Sequence, residues 1–116
     1  MVITALGNGT PASALYPEFV GRRGIFVGIG TGAPVSYSQT TQDPVTLSKT
    51  PYYIDAFAGS ALTVSGTYVV RFKPAATGTR QSWTAVWYVA ATGAQVANAV
   101  NLSAEKIQVG IFGGQF

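Results

Sequence analysis

The sequence predicts an all-β protein, an antiparallel sandwich or barrel of about eight short strands. Three observations carry that prediction. Short runs rich in Val, Ile, Tyr, Trp, Phe and Thr recur along the chain. Glycine- or proline-containing breakers separate them. Only residues 98–106 hold a signal for a helical turn, with Asn101 or Ser103 as its cap.

The elements follow in order. Residues 1–23 read as an irregular N-terminal arm, because Gly7, Gly9, Pro11, Pro17 and Gly21 interrupt them too often for a long strand or helix. Leu6, Leu15, Tyr16 and Phe19 are spaced between the breakers. Such a segment either docks those side chains on a neighbour or packs across its own sheet. Residues 24–116 form the β domain. Ile25-Phe26-Val27-Gly28-Ile29 is a glycine-bounded apolar run that suits a buried strand, and residues 30–34 turn. Val35-Ser36-Tyr37-Ser38 alternates as a half-buried strand does. Asp43-Pro44 favours a turn or an edge, before short strands at 45–47 and 52–57. Pro44 and Pro51 lack a backbone donor, which places these pieces at sheet edges.

The second half is more regular. Residues 61–64 and 67–72 flank Ser65-Gly66 as a hairpin. Residues 82–89 form the strongest strand: Trp83, Ala85, Trp87 and Val89 share one face, Thr84, Val86 and Tyr88 the other. Bulk on both faces places this strand centrally or puts one face in an interface. Residues 107–112 close the domain as a strand.

Composition narrows the function. The chain has no histidine and no cysteine, so it offers no imidazole base, no thiolate and no disulfide. Its carboxylates, Glu18, Asp43, Asp55 and Glu105, are scattered. Glycoside hydrolysis needs two carboxylates brought together, and the spacing shows no sign of it. Gly28-Ile29-Gly30-Thr31-Gly32 superficially resembles a phosphate loop, but no Gly-Lys-Ser/Thr and no helix pattern follow, so it reads as a turn. The sequence therefore predicts no catalytic residue, no cofactor and no metal site. Asp55, embedded in a strand, is expected at the surface or paired with an arginine.

Charged residues make up 9 % of the chain and hydrophobic ones 47 %, against about 25 % charged in an average soluble protein. Either the surface is a neutral, threonine-rich β surface or part of it is covered by a subunit or a larger assembly. The net charge is +3, and of the basic residues only Arg22 and Arg23 are adjacent. No basic run marks a nucleic-acid tail, so no nucleic-acid partner is expected. Neither a secretory leader pattern nor an apolar stretch of membrane-spanning length is visible, which predicts synthesis in the cytoplasm and no membrane partner. Trp83, Trp87, Tyr88, Tyr52, Tyr53, Tyr68 and Phe72 could make a stacking platform; core or interface packing is the simpler reading.

The segments Ser65-Gly66-Thr67-Tyr68-Val69-Val70-Arg71-Phe72, Gly78-Thr79-Arg80-Gln81-Ser82-Trp83-Thr84-Ala85-Val86-Trp87-Tyr88 and Leu102-Ser103-Ala104-Glu105, with the Gly113-Gly114-Gln115-Phe116 ending, resemble small virion proteins of tailed bacteriophages. In overall character the chain is similar to capsid cement, or decoration, proteins. That resemblance implies a jelly-roll-like β-sandwich on the capsid exterior, a symmetric oligomer (a homodimer ahead of a homotrimer) that staples neighbouring major capsid proteins. The expected interface residues are Leu15, Tyr16, Phe19, Arg22 and Arg23 of the arm and Tyr52 and Tyr53 at a strand edge. The alternatives are a carbohydrate-binding sandwich of a tail fibre or spike and a head–tail or tail structural protein.

Overall fold

The structure, a computed structural model, describes residues 1–6, 18–20, 23–47, 52–75 and 82–115. Among them the chain is all-β. The strands are β1 (Val2–Leu6), β2 (Glu18–Val20), β3 (Arg23–Thr31), β4 (Asp43–Leu47), β5 (Tyr52–Phe57), β6 (Ala61–Leu62), β7 (Tyr68–Pro74), β8 (Trp83–Val89) and β9 (Ile107–Gln115). They form one 9-stranded curled sheet, a half-barrel, in the order β5-β9-β3-β1-β4-β8-β7-β6, with β2 attached to β3. The far end bends back on the other wall, where Thr63 bridges Ile107 and the Val64 amide donates to the Lys106 carbonyl at 2.9 Å.

The structure departs from the sequence expectations at several points. The sheet is mixed, because β1 runs parallel to β4 (Val2 opposite Thr46, Ile3 opposite Leu47). Residues 1–6 are not part of an extended arm: β1 lies inside the sheet between β3 and β4. Ile3 is fully buried and Val2 is exposed, the alternation of a half-buried strand. Residues 7–17 and 21–22 of the expected arm lie outside the described residues.

β3 is the spine of one wall, pairing antiparallel with β1 on one side and with β9 along most of its length on the other. Its glycines explain how it packs. A Cβ on Gly28 would sit 2.6 Å from Ile111 Cδ1 and 2.7 Å from Ile3 Cγ2. One on Gly30 would sit 2.7 Å from Ile107 Cγ1. The strand therefore runs through Gly30, read from the sequence as the start of a turn, and the chain turns at Gly32, whose φ is +70°.

β4 joins the two walls. Its first half pairs with β8 (Asp43 opposite Ala85, Val45 opposite Trp83) and its second half with β1. It is thus internal to the strand order rather than an edge. Pro44 is tolerated there because its carbonyl faces the start of β1, accepting from the Met1 α-amino group at 2.9 Å. In an extended strand the nitrogen of a residue faces the same way as its carbonyl, so the β8 ladder loses no donor.

The second wall is β4-β8-β7-β6, and its hairpin turns at Gly66 with φ +75°, as the sequence predicts. β8 is central, and Thr84, Ala85, Val86 and Trp87 are all buried. The inward faces of both walls share one core: Ile3, Ile107, Val109 and Ile111 from the first, Val70, Ala85 and Trp87 from the second. Irregular segments plug the core with Tyr37, Val96 and Leu102. Residues 35–38 are not a strand. The Tyr37 amide donates to the Val100 carbonyl at 2.9 Å and its carbonyl accepts from the Ala99 amide at 2.8 Å, fixing loop against loop. Nor is there a helical turn at 98–106. Asn101 Oδ1 instead accepts from the Ser103 amide at 2.9 Å, a local turn that competes with helix.

Gly28→Val should destabilise the fold by about 1–3 kcal/mol through overpacking against Ile3 and Ile111. Urea unfolding measures it, and an unchanged midpoint would show that the walls at β3 are looser than described.

Candidate interaction surface

The chain's few ionisable groups come first, since they decide what chemistry is open to it. Asp43, on β4, is buried, and both its oxygens are engaged. Oδ1 accepts from the α-ammonium of Met1 in an ion pair, and Oδ2 accepts from the indole N–H of Trp87 at 2.9 Å. The Trp87 backbone amide donates to the Tyr37 hydroxyl at 3.3 Å, and Gln95 Nε2 donates to the same hydroxyl at 3.2 Å. This chain of contacts ties the start of β1, β4, β8 and the 95–98 loop together. Sequence reading missed it: Asp43 was visible only as half of an Asp-Pro turn signal.

The other described carboxylates lie apart. Asp55 sits at the irregularity between Ile54 and Ala56 where the β5–β9 register shifts. Glu105 accepts from Ser65 Oγ at 2.8 Å. Among the described residues no group of three His, Cys, Asp or Glu side chains could hold a metal ion.

Trp87, Tyr68, Trp83, Phe57 and Phe72 pack against one another in two groups. Trp87 is 1 % exposed, with Tyr68 edge-on at 6.2 Å between ring centres. Trp83 is half-buried; its indole N–H donates to the Ile54 carbonyl at 3.1 Å. Phe57 meets Trp83 edge-on at 5.1 Å and stacks on Phe72 at 3.8 Å. These contacts bind the end of β5 to β7 and β8, and they take the two tryptophans out of any exposed stacking platform.

Of the residues expected at an interface, Leu15, Tyr16 and Arg22 lie outside the described residues. The other four converge on one end of the first wall. Phe19 pairs with Gly24 in the β2–β3 hairpin, and Arg23 pairs with Val20 and with Gly114. Tyr53 pairs with Gly114 from the other side, and Tyr52 with Gln115. Val20, Arg23, Gly114 and Tyr53 therefore stand in one cross-strand row.

The same wall presents an outward face that the sequence did not reveal. Its described side chains are Val2 and Thr4 on β1, Val27, Ile29 and Thr31 on β3, and Gln108 and Phe112 on β9. None is charged. Val2 is 39 % exposed, Val27 37 % and Phe112 41 %. Each alternates with an inward, buried neighbour such as Ile3 or Ile111, so the apolar residues of this wall occupy both sides of the sheet. Exposed apolar side chains spread across neighbouring strands are one mark of an interaction surface. The chain matches no protein-family model, no curated protein and no solved structure.

Asp43→Ala should destabilise the protein by about 3–5 kcal/mol, because it strands a buried ammonium and an indole donor together. Asp43→Asn keeps an acceptor for Trp87 and should recover part of the loss. Thermal unfolding of both variants checks this; equal stability of Asp43→Ala and the parent would remove the contact from the account.

Proposed function

We propose that this chain is a non-enzymatic structural protein that works by adhesion, seating the outward face of β1, β3 and β9 on another protein. In its specific form the proposal is a virion protein on the capsid exterior that staples neighbouring major capsid proteins. The observation that carries the adhesive reading is the outer face on which none of the described side chains is charged and Val2, Val27 and Phe112 are exposed. Removing such side chains from water stabilises a complex, by roughly 1.5–3 kcal/mol for each one fully buried. The resemblance of the 65–72 and 78–88 segments to phage virion proteins supplies the lattice as the partner. We read the curled sheet, whose two walls share one core, as a variant of the jelly-roll-like sandwich. A homo-oligomer fits the same logic, since several weak contacts made at once give an avidity that one contact lacks. The disposition of the carboxylates supports a non-catalytic role: Asp43 is consumed in the core, and Glu105 is engaged by a serine.

Purified particles of the encoding phage test the reading. Quantitative mass spectrometry should find the chain in them at a copy number that scales with the capsomers; absence from particles overturns the capsid assignment. The double variant Val27→Asp, Phe112→Asp should stay folded, both side chains being partly exposed, and should bind stripped particles about a hundredfold more weakly. Undiminished binding would move the contact to another face.

A further inference from the structure

The second wall has an outer face of different character. Along β7 the outward residues are Val69, Arg71 and Lys73, opposite Tyr88, Val86 and Thr84 of β8. Arg71 and Lys73 are both exposed. Among the described residues neither is joined to a carboxylate or to any hydrogen-bond acceptor. Two cations thus stand in a row with no counter-charge among the described residues. Arg71 is nonetheless held in place, its guanidinium carbon lying 5.6 Å from the centre of the Tyr88 ring. Contact with an aromatic face restrains the planar fork. Beside it is a depression of about 250 Å³, lined by Val69, Arg71, Tyr88, Val89, Ala90 and Gly93.

We propose that this depression receives an acidic side chain from an extended segment of a partner protein. The carboxylate meets the Arg71 fork, a geometry in which two parallel N–H···O bonds form. The methylenes of the incoming residue rest on Val69 and Ala90. Lys73 lies two residues further along β7, roughly 7 Å away by strand geometry. It meets a second acid two positions on in the partner, because an extended segment repeats on the same face at the same interval. The recognised chemistry is therefore a pair of carboxylates spaced two residues apart. A nucleic acid fits less well: phosphate-backbone binding relies on many cations along a track, whereas here Arg71 lines a hollow the size of one side chain and Lys73 alone stands beyond it. The inference stands on the charge pattern of β7 and does not require the partner to be a capsid.

The test is an NMR titration of the isotopically labelled full chain with a short capped peptide carrying Glu-Thr-Glu, and with its Gln-Thr-Gln counterpart, at fixed ionic strength. The acidic peptide should shift the Arg71 Nε–H and the amides of Ala90 and Gly93 to saturation, and the neutral peptide should not. Arg71→Ala should weaken binding about tenfold. Arg71→Lys, which keeps the charge and loses the fork, should weaken it nearly as much. Arg71 is exposed, so both variants keep the parent spectrum elsewhere. The proposal is overturned if the neutral peptide shifts the same signals equally, or if Arg71→Ala binds like the parent. It is equally overturned if an oligothymidylate saturates these signals at lower concentration than the acidic peptide.

Discussion

One buried carboxylate sets the terms for the rest of this structure. Taking Asp43 out of water costs several kcal/mol unless its charge is met, and the fold meets it from two directions. The α-ammonium of Met1 arrives from the start of β1, and the Trp87 indole arrives from β8. Because Asp43 stands on the strand that passes from one wall to the other, a single side chain fixes both neighbours of the seam. It also lies at the head of the parallel pairing of β1 with β4. With the head of β1 anchored at Asp43 and Pro44, the strand runs alongside β4 in the same direction, and the Thr46 amide donates to the Met1 carbonyl at 3.0 Å. The Tyr37 hydroxyl carries the tie onward by accepting from Trp87 and Gln95, so the loops that plug the core are bound to the same seam.

The seam makes two outer surfaces of opposite character possible. On the first wall, Gly28 and Gly30 let β3 lie close against Ile3, Ile107 and Ile111, which fills the inside without using the bulk of Val27 or Phe112. Those side chains are left facing outward beside neutral Thr4, Thr31 and Gln108. On the second wall, Trp87 and Val70 take the inside, and Arg71 and Lys73 stand outside. Since both inward faces meet in one core, the apolar surface and the cationic surface point away from one another. Two unlike outer sides are what the proposed bridging role would use.

Much of the strand content was legible because it depends on local pattern. Alternation marked β8, and the hairpin at Gly66 follows from the need for a positive φ between two strand-forming runs. What escaped was set by contacts distant in sequence. β1 is short and stands next to a breaker-rich stretch, so nothing local distinguishes it from an irregular start; its strand character comes from β3 and β4. The alternation at 35–38 resembles a strand, yet Tyr37 is held by Val100 and Ala99 instead. Asn101 carries a helix-capping signal, but the buried Leu102, whose amide donates to the Pro34 carbonyl at 2.9 Å, pulls the chain away from helix. Asp43 was the largest omission in the site reading, because an Asp-Pro pair gives no sign that its carboxylate will meet an indole 44 residues on. The convergence of Phe19, Arg23, Tyr52 and Tyr53 at one sheet end likewise depends on register with Gly113 and Gly114, which only pairing reveals.

If the seam at Asp43 governs the fold, the amides it holds must open only when the whole molecule does. Native-state hydrogen exchange reads this directly at the Thr46 amide, which donates to Met1, and the Trp87 amide, which donates to Tyr37. The account predicts that both exchange with the free energy of global unfolding measured by urea denaturation. Exchange through a local opening well below that value, with the β3–β9 ladder still protected, would contradict it.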